Sequence, residues 1–218
     1  MVISPRNPPI LDPPIRLAVC VSGAGTTLQN LIDQIRRGQL RAEIVQVVAS
    51  RPRIKAIERA EAANIPLALA SRTAHSSAEF SASIFDPIRR SKADLVILGG
   101  FLSLLKIPAD YRGRILNIHP SLIPLFCGKG FYGLKVHQAA LEAGVKVSGC
   151  TVHFVDDHYD TGPIILQRTV PVLENDTPET LAARIFKEEC KALPEAIQWY
   201  AEGRLRLEGK RVRVLPPA

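Results

Sequence analysis

Apolar residues in this chain fall into short blocks separated by stretches with helical spacing. RLAVCVSG (16–23), AEIVQVVAS (42–50), PLALA (66–70), ADLVILGG (93–100) and RILNI (114–118) are apolar runs of strand length. Runs of this kind suit strands buried on both faces. Between them, Leu28, Leu31, Ile32 and Ile35 recur at helical spacing before Gly38. The Ala-rich segment 51–65 reads as helical, and 77–91 as a helix interrupted or ended near Pro87. Alternating strands and helices imply a parallel sheet with right-handed crossovers.

After residue 118 the pattern changes. A helix over 133–144 ends on Gly144, and two runs, 147–155 and 162–172, flank a short polar turn, which predicts antiparallel pairing. Thr177-Pro178 opens a long helix over 177–203, with Pro194 as a candidate kink. Leu205, Leu207, Val212 and Val214 then alternate with Arg204, Arg206, Arg211 and Arg213 around Glu208-Gly209-Lys210. That alternation predicts a half-buried hairpin with a wet basic face. The fold class is therefore α/β: an open, mostly parallel, Rossmann-like sheet with flanking helices, a late antiparallel strand pair and a C-terminal hairpin. The Pro-rich segment 1–15 reads as a disordered extension with no apolar core of a signal peptide.

The formal charge of +7 admits three explanations: nucleic acid, small anionic substrates or a plain solvated surface. Part of the excess already belongs to the hairpin's wet face. No apolar run reaches the ~18 residues of a membrane span. The four cysteines, Cys20, Cys127, Cys150 and Cys190, lie far apart and form no CxxC pair, which predicts reduced thiols packed in a core.

In open α/β sheets, ligands bind beyond the carboxyl ends of the strands. Segments 22–27, 99–105, 117–119 and 156–160 all fall at such ends. Ser22-Gly23-Ala24-Gly25-Thr26-Thr27 joins a strand to a helix; it lacks both the Gly-Lys-Thr of a Walker loop and a third fingerprint glycine, because position 28 is Leu28. Two readings remain open: phosphate monoester binding at the helix N-terminus, or a tight structural turn capped by Thr. Asn117 and His119, two residues apart on a strand, share a face. One can steady an oxyanion while the other exchanges a proton. Asp160 is the candidate third partner, expected to raise the pKa of His119 and favour the imidazolium; as a bare turn residue before Gly162 it would have no such role. With no Ser or Cys in a nucleophile motif, the set points to transfer onto a nucleophile carried by the substrate.

ILNIHPSLIP, GCTVHFVDDHYDTGPIILQ and SGAGTTLQN together resemble the folate-dependent phosphoribosylglycinamide formyltransferases, from about Arg16 to about Leu207. The resemblance implies formyl transfer from 10-formyltetrahydrofolate, a co-substrate, to the amine of 5-phosphoribosylglycinamide in purine biosynthesis, with no metal. It implies that Asn117, His119 and Asp160 are catalytic. Gly25, Thr26 and Thr27 would then hold the substrate phosphate and Glu189 the ribose. Leu102, Ser103, Leu104 and Leu105, with Asn117, Asp156 and Asp157, would bind folate. Three positions depart from the family: Thr26-Thr27 replace Ser-Asn, Leu102-Ser103 replace a common Met-Arg pair, and Ser77 stands where a folate-contacting Arg falls. Arg72 is the candidate substitute.

On this basis 16–215 is one formyltransferase domain, with a phosphate-binding half (16–110) and a catalytic and folate half (111–215). The expected partners are the two small molecules, with no nucleic acid and no membrane. The expected state is a cytoplasmic monomer or homodimer. A formyltetrahydrofolate hydrolase or another formyltransferase is the alternative. A hydrolase has little use for a phosphate loop, and a tRNA-directed enzyme is expected to carry a further C-terminal domain. His153 reads as structural, orienting the site from behind. The loop 124–135, with three glycines, is expected to close over the site.

Overall fold

The computed structural model describes residues 14–70 and 76–217. Arg72, a candidate folate residue, and most of the Pro-rich segment lie outside them. The described residues form two compact units that meet in sequence between Asn117 and Ile118.

The first unit contains β1 (Ile15–Val21), β2 (Ala42–Ala49), β3 (Leu67–Leu69), β4 (Leu95–Leu98) and the start of β5 (Ile115–His119), with helices α1 (Thr26–Arg36), α2 (Lys55–Ala62) and α3 (Ser77–Arg90). The strands are parallel, in the order β3-β2-β1-β4-β5. Leu17, Ala18, Val19, Cys20 and Val21 of central β1 are fully buried, which is why that strand reads as an unbroken apolar run. α2 starts at Lys55, later than expected, because Pro52 and the left-handed Arg53 (φ 56°) precede it. α3 corrects a second expectation by running straight through Pro87. An interior proline costs about 3 kcal/mol. Burial of Phe80, Ile84, Phe85 and Ile88 and a Ser76–Glu79 capping box offset it.

The second unit contains α4 (Leu134–Glu142), β6 (Val147–Phe154), β7 (Ile164–Pro171), α5 (Pro178–Ala201), β8 (Leu205–Glu208) and β9 (Arg211–Val214). β6 and β7 pair antiparallel as expected, and β9 pairs parallel with β7 and antiparallel with β8. In that hairpin Leu205 is buried while Arg206, Arg211 and Arg213 are exposed, matching the expected wet basic face. Cys20 and Cys150 are buried thiols, whereas Cys127 and Cys190 are half-exposed, so only two of the four lie in a core. Among the described residues no helix is long and apolar enough to cross a membrane.

α5 opens on a capping box between Thr177 and Thr180, and passes through Pro194. Just before it, the Asp176 carboxylate accepts hydrogen bonds from Arg184 (2.6 and 2.7 Å), Thr180 Oγ1 (2.8 Å) and the Leu173 N–H (2.8 Å). The Arg184 guanidinium above all holds its pKa well below the usual 3.8. A depressed carboxylate stabilises the fold above its unfolded pKa and loses that contribution as pH falls through the folded one. Asp176→Asn is expected to cost about 2 kcal/mol in urea unfolding at neutral pH, with the difference from the parent shrinking below pH 4. An unchanged midpoint would show the cluster to be idle.

Candidate active site

The second unit gathers His119, Asp160 and His153 below the surface. His119, at the end of β5, is buried, and its Nε2 lies 2.9 Å from the Phe126 carbonyl oxygen. A carbonyl can only accept, so Nε2 carries the proton. Its Nδ1 faces Asp160 Oδ2 at 3.7 Å. His153 repeats the arrangement: Nδ1–H donates to the Phe154 carbonyl (2.8 Å), and Nε2 faces Asp160 Oδ1 at 3.6 Å. Asp160 also accepts the Gly128 N–H at 2.8 Å. One carboxylate thus stands between two imidazoles, each of which has committed an N–H to the backbone.

Local chain geometry explains the convergence. Asp160 adopts a left-handed φ of 55°, which Asp tolerates better than most residues and which bends the loop back. A Cβ at Gly162 would overlap the Phe154 carbonyl oxygen, so only glycine lets the chain cross there. The β6–β7 ladder shifts register between Val152 and His153, an irregularity of the kind that re-aims side chains beside sites.

The segment after His119 is fastened by residues that sequence reasoning passed over. Thr151 Oγ1 donates to the Ser121 carbonyl (2.6 Å) and accepts from the Ile123 N–H (3.1 Å). Gln167 Nε2 donates to the Ile123 carbonyl and to Thr151 Oγ1, both at 3.0 Å, and Ser121 Oγ donates to the Leu125 carbonyl (2.6 Å). The available signal was strand parity, since Thr151 stands two residues before His153 and shares its face. This network holds the chain from 121 to 125, and so places the Phe126 carbonyl over His119.

The charge state differs from expectation. Burial lowers the pKa of His119 below the ordinary 6.5, and the opposing pull of Asp160 and of the Phe126 hydrogen bond does not overcome it. The resting imidazole is therefore neutral at pH 7, not the imidazolium expected from a neighbouring carboxylate. Burial pushes Asp160 upward, but the hydrogen bond with His153, the neighbouring His119 imidazole and the Gly128 N–H outweigh it, and its pKa is lowered. The pair is a neutral base beside an ionised carboxylate. A proton reaching His119 goes to Nδ1, directly beside its counter-ion.

The other candidates are placed as follows. Asn117 lies on β5 with the parity of His119, paired in register with Leu98. Gly25 (φ 70°) is the N-cap of α1 with no side-chain cap, so the Thr-capped turn is not what forms; Thr26 and Thr27 are the first helical residues. Leu102 and Leu104 are exposed, Ser103 is half-buried, and Leu105 lies in the core of the first unit. The Leu102 N–H donates to Ser22 Oγ at 3.1 Å. Asp156 accepts from the His158 N–H and Thr161 Oγ1, closing its own turn, and Asp157 is exposed. Glu189, on α5, has its carboxyl pushed up to about 7 by burial.

The thiols are poor nucleophiles. Burial pushes Cys20 and Cys150 up to about 12 and Cys190 to about 11. Cys127 is also raised, by burial first and then by the Asp160 charge. None is a thiolate at neutral pH.

The model of the Formyl transferase family matches residues 15–197. The chain belongs to this family. Within the formyl transferase family it is similar to the phosphoribosylglycinamide formyltransferase of Haemophilus influenzae, 38% identical over 88% of this chain and 90% of that protein. It is likewise similar to the glycinamide ribonucleotide transformylase 1 of Symbiobacterium toebii, at a TM-score of 0.88 and 44% identity over 94% of this chain and 96% of that one. The chain spans 62% of the chloroplastic phosphoribosylglycinamide formyltransferase of Vigna unguiculata, and 19% of the trifunctional purine biosynthetic protein adenosine-3 of Bos taurus. A formyltetrahydrofolate deformylase from Pseudomonas syringae shares the fold, at a TM-score of 0.83 and 23% identity.

Asp160 raises the pKa of His119, so removing its charge must lower that pKa further. In Asp160→Asn, the imidazole resonance of residue 119, followed by NMR, is expected to titrate at lower pH than in the parent. Titration at the same or higher pH would mean that the carboxylate does not act on His119.

Proposed function

We propose that this chain transfers the formyl group of 10-formyltetrahydrofolate to the amine of 5-phosphoribosylglycinamide, a step of purine biosynthesis. The observation that carries the reading is the buried neutral imidazole of His119 beside the ionised Asp160. Such a pair is suited to take up the proton of an attacking nucleophile, and the described thiols are all held protonated. The nucleophile on this reading is the substrate's own amine, as in the transferases the chain resembles. The names of similar family members supply the substrates.

In this mechanism the amine nitrogen attacks the formyl carbon and the carbonyl oxygen becomes an oxyanion. The Asn117 amide donates to it, and such a donor is worth about 3 kcal/mol of barrier. The proton released by the amine passes to His119 Nδ1, where Asp160 balances the charge. The bond from the formyl carbon to folate N10 then breaks, and N10 takes the proton. The products are the formylated ribonucleotide and tetrahydrofolate. His119 Nε2–H is committed to the Phe126 carbonyl, so in this reading the donor to the oxyanion is the Asn117 amide. On this reading Gly25, Thr26 and Thr27 hold the phosphate and Glu189 the ribose, while Leu102, Leu104 and the 156–160 loop face the folate.

Tetrahydrofolate release, measured with and without the ribonucleotide, tests the reading. Release is expected only with it; equal release without it would make the chain a hydrolase. His119→Ala is expected to cut kcat by roughly 10²–10⁴ with both KM values little changed. Because the base must be neutral and its pKa is lowered, kcat/KM should hold as pH falls to 6.5 and decline only below. An acid limb centred above 6.5 would contradict this assignment.

A further inference from the structure

We propose that Arg59 is a positioning residue for the phosphate of the phosphoribosyl substrate. The inference rests on the function proposed above, which puts that phosphate on Gly25, Thr26 and Thr27.

α2 grips the loop ahead of α1 through two carbonyls. The Ala56 N–H donates to the Gly23 oxygen at 3.2 Å, and Arg59 Nε donates to the Ala24 oxygen at 3.0 Å. In a planar trans peptide the N–H points opposite its carbonyl. Drawing the Gly23 and Ala24 oxygens toward α2 therefore turns the N–H groups of Ala24 and Gly25 away from it, as adjacent donors of the kind that cradle an anion. Arg59 Nη1 also donates to Gln29 Oε1 at 2.7 Å, and Gln29 Nε2 in turn to Asp33 Oδ1 at 3.0 Å. The guanidinium thus fastens the loop to the first turn of α1.

The fit is close. A Cβ at Gly25 would stand 2.6 Å from Ala56 Cβ and 3.4 Å from Arg59 Cδ, so the glycine makes room for this clamp. Charge supports the same assignment. A phosphate monoester brings close to two negative charges, and residues 22–27 include no lysine or arginine. Arg59 brings a cation into hydrogen-bond contact with the loop.

The test uses the full chain and steady-state kinetics with three substrates: the ribonucleotide, the folate, and the glycinamide riboside that lacks the phosphate. Arg59→Ala is expected to raise KM for the ribonucleotide about tenfold or more while KM for the folate stays within about twofold. The riboside should distinguish parent from variant by less than about twofold. Arg59→Lys, which can reach the Ala24 carbonyl but cannot also span to Gln29, is expected to fall between. It carries the test alone if Arg59→Ala does not fold. An unchanged ribonucleotide KM, an equal rise for folate, or an equal rise for the riboside would overturn the proposal. Failure of the parent itself to require the ribonucleotide would overturn the function reading instead, and is seen without any variant.

Discussion

The supply of N–H groups around Asp160 governs this molecule's second unit. His119 and His153 each donate one ring N–H to a main-chain carbonyl. What remains on each ring faces the same carboxylate, across 3.7 and 3.6 Å. Asp160 is held ionised and accepts the Gly128 N–H, so a proton arriving on either ring meets a negative charge. Everything nearby serves that geometry: the shifted ladder at His153, the left-handed turn at Asp160, the close crossing at Gly162, and the Thr151–Gln167 network under 121–125.

The first unit follows a different logic. Its parallel strands are mostly apolar, interrupted by Arg16, Glu43 and Gln46, and its candidate ligand-binding segments fall in the connections beyond their ends. Ser22 joins two of these connections, with its hydroxyl 2.6 Å from that of Ser50 and accepting the Leu102 N–H. The loop before α1 and the segment after β4 are thereby held to one another through a single buried side chain. Rigidity in this unit comes from hydrogen bonds to strand-end hydroxyls and carbonyls, and in the other from a buried charge.

What the chain reveals in advance follows from how local each signal is. The shared face of Asn117 and His119 needs only the two-residue period of a strand, and it holds. The parallel pairing follows from the alternation of strands and helices up to residue 118, and the late antiparallel pair from the change in apolar pattern after it. The charge on His119 is not legible locally, because burial depends on the packed chain, and here it outweighs the neighbouring carboxylate. Pro87 does not break α3, because its cost is local while the apolar contacts that offset it are tertiary. Arg59 gave no signal at all, since its partners are a main-chain oxygen and a glutamine thirty residues away.

One feature of the loop after β5 bears on how this protein tolerates change. Phe126 meets His119, and Gly128 meets Asp160, through peptide groups rather than side chains. A substitution cannot delete a carbonyl, and only proline deletes an N–H. The contacts need only the main chain, but both positions sit at positive φ, 50° and 92°, so Gly128 takes a side chain only with strain. The path of the chain through 126–128, rather than the reach of any side chain, sets the hydrogen bonding of both His119 and Asp160.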